Sequence, residues 1–384
     1  MKLLCVCSAL DLRHRFGCTP AWWQFLKGLH EEGHDVIAIP YMGAAIETPW
    51  WRAYPNPCAI EGQAFSAIKK FLGQGPTSTE AGFGSKFSKA ALDGWVRPRW
   101  SNHLSHVLLQ ERNVDAVIVF SVPVSHFTGI PAHLRERYRV PVFYFDGDVP
   151  ASLPRFGGFA SGFNSYEGAN PGEYDGFMCN SAGGAEELLA MGAKKVRTVH
   201  WGVDPSLYEP LAIEENRDVF FYGYGVEYRQ EWVGRMIVEP SRMYPEASFS
   251  VGGKGFPDDL GHAQFVGDVP HNTLRAACCR SRINLNITRD SHASVRESSS
   301  TRPFELAAMG RCIVSNPLSC VEAWFTPGEE ILVVESAEEA VSTYKGLLQN
   351  PERRRAIGEA ARKKVLAAHT HRHRAREIAE FVAS

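Results

Sequence analysis

The sequence predicts an α/β protein that contains two doubly wound parallel sheets in series. Short apolar runs rich in β-branched residues alternate along the chain with segments of helical periodicity, which is the pattern of sheets covered by helices on both faces. The alternation stops at a proline-bearing linker near residues 201–210 and then begins again. A length of 384 residues also fits two domains, since one domain typically has about 150 residues.

The first domain is expected to span residues 1–202. It opens with the strand KLLCVCSA, the helix AWWQFLKGLHEEG and the strand HDVIAIP, and Gly33 ends the helix where a left-handed residue is favoured. Residues 48–94 are rich in glycine, proline, serine and tryptophan, which predicts a long irregular excursion in which AFSAIKKFL could form a short helix. The later strands are expected in VDAVIVFS, VPVFYFDGD, YDGFMCNS and KVRTVHWG.

The second domain is expected to span residues 203–365 and to repeat the pattern. Its strands are expected in DVFFYG, ASFSVGG, INLNIT, RCIVS and ILVVES, and its helices in RQEWVGRMIVEPSRMYP, HNTLRAACCRS and TRPFELAAMG. Residues 366–384 are expected to form a C-terminal helix that packs back on the first domain. Since sheets of this kind bind ligands at the carboxyl ends of their strands, the tandem arrangement predicts a ligand in a cleft between the domains.

Composition and charge narrow the functional classes. The chain is 44% hydrophobic and 22% charged with a formal net charge of -2, which is typical of a soluble globular protein and disfavours nucleic acid as the main partner. The apolar opening MKLLCVC is too short for a signal segment or a membrane span, so membrane contact is expected to be at most peripheral. Nine scattered cysteines favour a reducing, cytoplasmic compartment, with Cys5, Cys7, Cys278 and Cys279 as buried thiols.

The stretch ESSSTRPFELAAMGRCIVSN, residues 297–316, is the most informative one for function. Glu297 and Glu305 enclose a run of small hydroxyl residues that leads into an apolar helix. The N-terminus of a helix attracts anions, and an ionised carboxylate accepts hydrogen bonds from two adjacent hydroxyls. The alternative is that Ser300 or Thr301 only caps the helix and that Glu305 lies on the surface.

The second half of the sequence resembles the C-terminal domain of GT-B fold glycosyltransferases. The segments that carry the resemblance are VFFYGYGVEYRQ, FVGDVPHNTLRAACCRSRINLNIT, STRPFELAAMGRCIVSN, WFTPGEEILVVES and NPERRRAIGEAARKKVLAAHTHRHR. They are similar to the retaining, group-1 type enzymes and, among these, to the CgeB-like (spore maturation) branch. With CNSAGGAEELLAMGAKKVRTVHWGVDPSLYEP, the similarity covers residues 140–375.

The resemblance implies a GT-B fold, that is, two Rossmann-like α/β domains with a cleft between them. It implies a hexosyltransferase that retains configuration and needs no metal and no cofactor, with a UDP-, GDP- or dTDP-linked sugar as co-substrate. The acceptor would be a small molecule, a glycan or a lipid-linked compound. The alternatives are a GT-B nucleotide-sugar epimerase or hydrolase and a catalytically silent nucleotide-binding protein.

The resemblance also implies roles for residues of the 297–305 stretch. Glu297 would contact the sugar, and Glu305 would bond the ribose hydroxyls. Ser300, Thr301 and Arg302 would offer backbone N–H groups, hydroxyls and one positive charge to the diphosphate at the helix start. The three serines after the first glutamate stand where the family usually has an aromatic residue and a glycine.

Further donor-site residues are implied in the neighbouring motifs. Gly223 and Gly225 form the turn after a strand, and Arg229 opens the next helix against the diphosphate. Lys254 is a second candidate phosphate cation, and Val266 would lie beside the base. A tight turn and solvated surface charges are the alternative interpretation of these residues.

Two residues of the first domain are candidates by position. Asp146, in YFDGDVP, is interpreted as an acceptor or sugar contact, with capping of its own turn as the alternative. His126 follows the strand AVIVFS and is interpreted as a sugar or acceptor contact, the alternative being an incidental loop histidine.

The motif HTHRHR near the C-terminus resembles a metal tag. His369, His371 and His373 alternate along the chain, and alternate residues of a helix point to different faces. The motif is therefore predicted to be a solvated basic helix end, and no metal site is expected.

Overall fold

Parallel strands and intervening helices form two compact units. The structure, a computed structural model, describes residues 1–10, 21–59, 92–156, 165–225 and 229–384. Within that part of the chain, the first unit contains residues 1–10, 25–59, 92–156, 165–199 and 375–384. The second unit contains residues 21–24, 200–225 and 229–374.

The described residues of the first unit form a parallel sheet with the strand order β3-β2-β1-β4-β5-β6-β7. Its strands are β1 (Lys2–Ala9), β2 (Asp35–Met42), β3 (Arg52–Ala53), β4 (Ala116–Phe120), β5 (Val142–Asp146), β6 (Gly176–Cys179) and β7 (Val196–Thr198). Its helices include α1 (Ala21–Glu31) from Phe25 onward, α2 (Arg97–Glu111), α3 (Ile130–Tyr138) and α4 (Ala182–Ala190). All residues of β4 and β5 are buried, which is why these strands read as continuous apolar runs.

The second unit has its own parallel sheet, with the strand order β10-β9-β8-β11-β12-β13 in the described residues. Its strands are β8 (Arg217–Tyr224), β9 (Phe249–Lys254), β10 (Gln264–Phe265), β11 (Ser281–Asn286), β12 (Ile313–Ser315) and β13 (Leu332–Val333). Its α-helices in the described residues are α5 (Gln230–Val233), α6 (Glu239–Met243), α7 (His271–Cys279), α8 (Asp290–Ala293), α9 (Thr301–Ala308), α10 (Ala337–Gln349) and α11 (Pro351–Ala368). The last helix, α12 (His371–Ala383), begins in this unit, and its residues from Ala375 onward belong to the first unit. The predicted strands appear in the described residues in the predicted order, whereas the short elements β3, β10 and α8 are not predicted by the sequence.

The predicted helix RQEWVGRMIVEPSRMYP is interrupted in the structure. A π-helical turn, Gly234–Val238, separates α5 from α6, and Pro240 follows it in the first turn of α6. Proline has no N–H to donate and its ring crowds the preceding turn, so the ladder of hydrogen bonds widens there. The apolar face of the segment still packs inward through the buried Met236 and Ile237.

The excursion expected at residues 48–94 contains a regular element. Arg52 and Ala53 form the edge strand β3 beside β2, and the Arg52 guanidinium bonds the carboxylates of Asp35 and Glu111. Residues 60–91, which include AFSAIKKFL, lie outside the described part of the chain.

The prediction that HTHRHR is a solvated helix end is wrong, because four of its six residues are buried. His369, His371 and Arg374 are each less than 9% exposed. Arg374 donates to the Trp201 carbonyl and to His369 Nδ1, and the His371 N–H donates to the Val203 carbonyl. The junction between α11 and α12 is therefore fixed to residues 201–203, which local sequence periodicity does not reveal.

Cys5, Cys7, Cys278 and Cys279 are buried free thiols, as predicted. In the ranges that the structure describes, no group of three or more His, Cys, Asp or Glu side chains is placed to hold a metal ion. Every helix described there is too short or too polar to cross a lipid bilayer.

Two glycines inside helices of the second unit provide a test of its packing. A Cβ at Gly358 of α11 would lie 2.2 Å from the Gly310 carbonyl oxygen, whereas a Cβ at Gly346 of α10 would meet nothing within 4 Å. We expect Gly358→Ala to lower the free energy of unfolding by about 1–3 kcal/mol through overpacking. The matched Gly346→Ala should raise it by about 0.5–1 kcal/mol through helix propensity. Chemical denaturation of both variants measures this, and equal effects would contradict the described contact.

Candidate functional site

Two of the sequence-predicted residues of the second unit, Arg229 and Arg302, meet at one edge of its sheet. Strands β8 and β11 are neighbours and parallel, so their carboxyl ends meet at the same edge. β8 ends at Tyr224, β11 ends one residue before Ile287, and α9 starts at Thr301. These three elements bring Arg229 and Arg302 to the carbonyl group of Ile287.

Arg229 and Arg302 donate hydrogen bonds to the same carbonyl oxygen. Arg229 Nε lies 2.9 Å and Arg302 Nη1 lies 3.1 Å from the oxygen of Ile287. The Nε of Arg302 is buried and makes no hydrogen bond to the described residues. Two guanidinium groups at one carbonyl form a concentrated positive charge, and their planar donors suit carboxylate or phosphate oxygens.

Gly223 and Gly225 give the backbone of β8 room for these side chains. Gly223 has φ +142°, and a Cβ there would lie 2.7 Å from Arg302 Nη2. A Cβ at Gly225 would lie 2.3 Å from the ring of Phe256. Gly223, which lies within β8, is therefore favoured by its positive φ, and Gly225 is favoured by the close approach of Phe256.

The helix α9 directs its N-terminus toward this edge. Its N-cap residue is Ser300, whose extended backbone leads into Thr301 and whose side chain makes no capping hydrogen bond. The amide N–H groups of a first helical turn carry partial positive charge. This end of α9 therefore adds to the positive field of Arg302, which is the second residue of the helix.

Glu305 lies on the same helix and is buried. It is 1% exposed, and its Oε2 accepts a hydrogen bond of 2.8 Å from the hydroxyl of Tyr222. Burial raises the pKa of Tyr222, and the charge of Glu305 raises it further, so the phenol stays protonated and donates. The alternative that Glu305 is a surface residue is therefore wrong, and one of its acceptor positions is occupied by Tyr222.

His271, at the start of α7, is close to this carboxylate. Its Nδ1 is buried and has no hydrogen-bond partner among the described residues. Burial lowers the pKa of His271, and the charge of Glu305 opposes that shift. The imidazole therefore offers a polar atom beside Glu305 that the described structure does not use.

Glu297 is held in a turn of left-handed conformation, with φ +50°. Its Oε2 lies 3.6 Å from Nε2 of His200. Burial, followed by the charge of Arg374, lowers the pKa of His200 to about 4, and a hydrogen bond with the Glu297 backbone opposes the shift. At neutral pH the His200–Glu297 contact is therefore one between a carboxylate and a neutral ring rather than an ion pair.

The serines that follow Glu297 are anchored in the second unit. Ser298 Oγ lies 2.8 Å from His292 Nδ1, and Ser299 Oγ accepts a hydrogen bond of 2.9 Å from the Trp201 N–H. Both serines are less than 5% exposed. They fix the turn that carries Glu297.

Lys254 and Val266 lie on the neighbouring part of the sheet. Lys254 is the last residue of β9 and pairs with Tyr224, and its carbonyl accepts from the Gly225 N–H. The N–H of Val266 donates to the Val251 carbonyl, and its side chain would meet a Cβ at Gly252 at 3.3 Å. The roles of these two residues toward a phosphate and a base stay predictions.

Asp146, in the first unit, ends β5 and is 2% exposed. Its carboxylate accepts from the Asp148 N–H at 3.0 Å, from the Ser152 hydroxyl at 2.7 Å and from the Tyr166 hydroxyl at 2.6 Å. Burial raises the pKa of Asp146, and the hydrogen bonds from Tyr166, Asp148 and Ser152 oppose the shift. The carboxylate thus caps its own turn, and contact with a substrate stays a prediction.

His126, also in the first unit, is paired with Tyr41. The Tyr41 hydroxyl lies 2.6 Å from His126 Nδ1. Burial, followed by the charge of Arg97, lowers the pKa of His126 to about 4, so the ring is neutral at pH 7. The histidine is part of a defined polar pair, and its predicted contact with sugar or acceptor is untested.

Sequence reasoning missed Tyr222, His200 and His271. Tyr222 stands immediately before the first glycine of the predicted turn, which was a local signal that could have identified it. His200 and His271 interact with Glu297 and Glu305, which are far away in the sequence, and no local pattern around either histidine indicates this.

Comparison with known proteins identifies the fold. Residues 229–380 match a family model described as glycosyl transferase-like. Sucrose-phosphate synthase from Thermosynechococcus elongatus superposes with a TM-score of 0.68 at 14% identity, covering 100% of both chains. HepE from Anabaena, in complex with UDP and glucose, gives 0.61 at 11% identity and 100% coverage of both chains. The two parallel sheets and this full-length likeness define a GT-B fold, which confirms the predicted fold class.

A third structure, BGT of phage T4 in complex with its UDP-glucose substrate, gives a TM-score of 0.57 at 11% identity. It covers 99% of this chain and 98% of its own. No curated protein sequence matches the chain.

The neutral His200 predicts a loss of stability in acid. Its pKa is lower in the folded chain than the usual value of 6.5, so protonation favours the unfolded chain. The stabilisation is complete above pH 6.5 and is lost as pH falls toward about 4. Between pH 6.5 and pH 5 the unfolding free energy of the wild type should fall because His200 is protonated in the unfolded chain. We expect this fall to be smaller by about 2 kcal/mol in His200→Gln. Urea denaturation at several pH values measures this, and parallel curves for the two proteins would contradict it.

Proposed function

We propose that the protein is a glycosyltransferase that transfers a sugar from a nucleotide-sugar donor to an acceptor. The observation that carries this proposal is the convergence of Arg229 and Arg302 on the Ile287 carbonyl, with Glu305 on the same helix as Arg302. A nucleoside diphosphate has a doubly charged end and a hydroxyl-bearing ribose. The arginines suit the former, and the carboxylate suits the latter.

In this proposal the arginines act on the leaving group. When the bond between the sugar and the diphosphate breaks, negative charge develops on the phosphate oxygens while the sugar becomes oxocarbenium-like. Arg229, Arg302 and the N-terminus of α9 stabilise that charge from fixed positions, which lowers the barrier without reorganisation during the reaction. This positive charge is the basis for proposing a reaction that needs no metal, with Lys254 as a further cation.

Glu297 is proposed to contact the donor sugar. Its left-handed turn and the buried serines after it fix the position of the carboxylate. Retention of configuration is part of the proposal and rests on the resemblance to retaining enzymes. Asp146 and His126 remain candidates for contacts with the sugar or the acceptor, which would be a small molecule, a glycan or a lipid-linked compound.

UDP is the nucleotide to test first. HepE was solved with UDP and glucose, and BGT with UDP-glucose. GDP, dTDP and ADP complete the set of probes.

Glu305 provides the test of the nucleoside contact. We expect Glu305→Gln to weaken binding of the preferred nucleotide about tenfold or more, because it removes the negative charge that strengthens hydrogen bonds from ribose hydroxyls. Calorimetric titration of UDP, GDP, dTDP and ADP measures this. Glu359→Gln, at an exposed glutamate of α11, is the matched control and should bind as the wild type does. If Glu305→Gln binds the nucleotide as tightly as the wild type does, the donor-site assignment is wrong.

The arginines provide a separate test of the diphosphate contact. We expect Arg229→Met and Arg302→Met each to weaken UDP binding about tenfold to a hundredfold, since a hydrogen bond to a charged group contributes about 1.5–3 kcal/mol. Binding of uridine, which has no phosphate, should be unchanged. Arg280→Met, at an exposed arginine after α7, is the control. Equal losses for UDP and uridine would show that the arginines are structural.

Turnover distinguishes the proposed reaction from its alternatives. Release of UDP from UDP-sugars that depends on added acceptor supports transfer. Release without acceptor indicates a hydrolase, and interconversion of the sugar without transfer indicates an epimerase. A donor that binds and is never consumed indicates a nucleotide-binding protein without catalytic activity.

A further inference from the structure

Tyr222 contacts both of the side chains assigned to the two parts of a nucleotide. Its hydroxyl donates to Glu305 Oε2 at 2.8 Å. The guanidinium carbon of Arg302 lies 5.0 Å from the centroid of its ring. One residue of β8 therefore meets the candidate ribose carboxylate with its polar end and the candidate diphosphate cation with its aromatic face.

The surroundings of Tyr222 make it a rigid support. It is 3% exposed, and it pairs with Gly252 in the middle of the β8–β9 ladder. The ring of Phe220 stacks at 6.2 Å from the Tyr222 ring. A side chain held by a strand and packed on its sides loses little further freedom when it positions another group.

Each contact has a distinct physical effect. A phenol that donates to a carboxylate makes a charge-assisted hydrogen bond, which fixes the rotation of the carboxylate while leaving it further acceptor capacity. The negative face of an aromatic ring attracts a guanidinium that lies over it. The N–H donors point outward in the guanidinium plane and so do not compete with this contact. The first effect concerns hydroxyl recognition, and the second concerns phosphate recognition.

We propose that Tyr222 is a positioning residue that sets ribose selectivity through Glu305 and supports diphosphate binding through Arg302. This inference rests on the proposed function and deepens it, because it assigns a ribonucleoside diphosphate to the site rather than a nucleotide of either sugar. Without the hydroxyl, Glu305 must order its carboxylate on binding, so the ribose hydroxyls contribute less. Without the ring, Arg302 keeps only one of its two aromatic contacts, the ring of Phe221, whose centroid also lies 5.0 Å from the guanidinium carbon.

Two substitutions separate the two contacts. Tyr222→Phe removes only the hydroxyl and keeps the ring beside Arg302. Tyr222→Leu removes both. Tyr344→Phe is the matched control in the same unit, because its buried hydroxyl donates to the Met236 carbonyl at 3.0 Å and has no contact with Glu305 or Arg302.

The experiment measures binding of UDP, 2′-deoxy-UDP and inorganic pyrophosphate by calorimetry, with circular dichroism confirming that each variant is folded. We expect Tyr222→Phe to reduce the ratio of the Kd of 2′-deoxy-UDP to that of UDP about tenfold while pyrophosphate binding is unchanged. Tyr222→Leu should reduce the ratio similarly and also weaken pyrophosphate binding severalfold. Tyr344→Phe should keep the wild-type ratio.

The outcomes separate this inference from the proposed function. A merely structural Tyr222 would weaken UDP and 2′-deoxy-UDP equally, so an unchanged ratio in Tyr222→Phe overturns the inference even where Glu305→Gln still weakens UDP binding. If the wild type binds none of UDP, GDP, dTDP and ADP, the proposed function and this inference both fail. If UDP binds and Glu305→Gln has no effect, the ribose assignment fails first.

Discussion

The Ile287 carbonyl is the point on which the candidate site depends. Two guanidinium groups donate to it. Two positive groups that share one acceptor repel each other, and an anion or a hydrogen-bond acceptor between them offsets that repulsion. The carbonyl follows the end of β11, one arginine precedes α5, and the other is in the first turn of α9. The sheet positions the acceptor and the two helices position the donors, so the contacts of the fold itself hold the two positive charges together.

The positive charge of Arg302 and the carboxylate of Glu305 lie near each other at the same edge of the sheet. Arg302 and Glu305 are three residues apart on α9 and so lie on one face of the helix. A direct ion pair between them would neutralise both groups. Tyr222 lies between the two functions instead, with its ring at the arginine and its hydroxyl at the carboxylate. The arginine therefore remains directed at the Ile287 carbonyl, and the buried carboxylate accepts from Tyr222.

Local patterns predict the order of elements, because burial of parallel strands requires apolar runs and burial of one helix face requires helical periodicity. Two separate motifs, through the resemblance that they carry, led to Gly223 in one and to Arg302 and Glu305 in the other. They could not reveal Tyr222 and Glu305 as partners, since 83 residues separate them. The burial of His369 and Arg374 was missed for the same reason, because it depends on carbonyls near Trp201. Pro240 marks a break in the helix, but the sequence alone does not show that the break is a π-helical turn.

The serines after Glu297 show why a departure from a motif needs a structural explanation. The glycosyltransferases that this stretch resembles usually have an aromatic residue and a glycine there, so three serines are also what a decayed site would show. In this chain Ser298 and Ser299 are instead buried hydrogen-bond partners of His292 and Trp201. Buried hydroxyls without partners would be costly, and these have them. The left-handed turn at Glu297 is strained for a residue with a side chain, so it persists only where neighbouring contacts hold it. The serines supply those contacts, and the departure is therefore compatible with a carboxylate that is positioned for use.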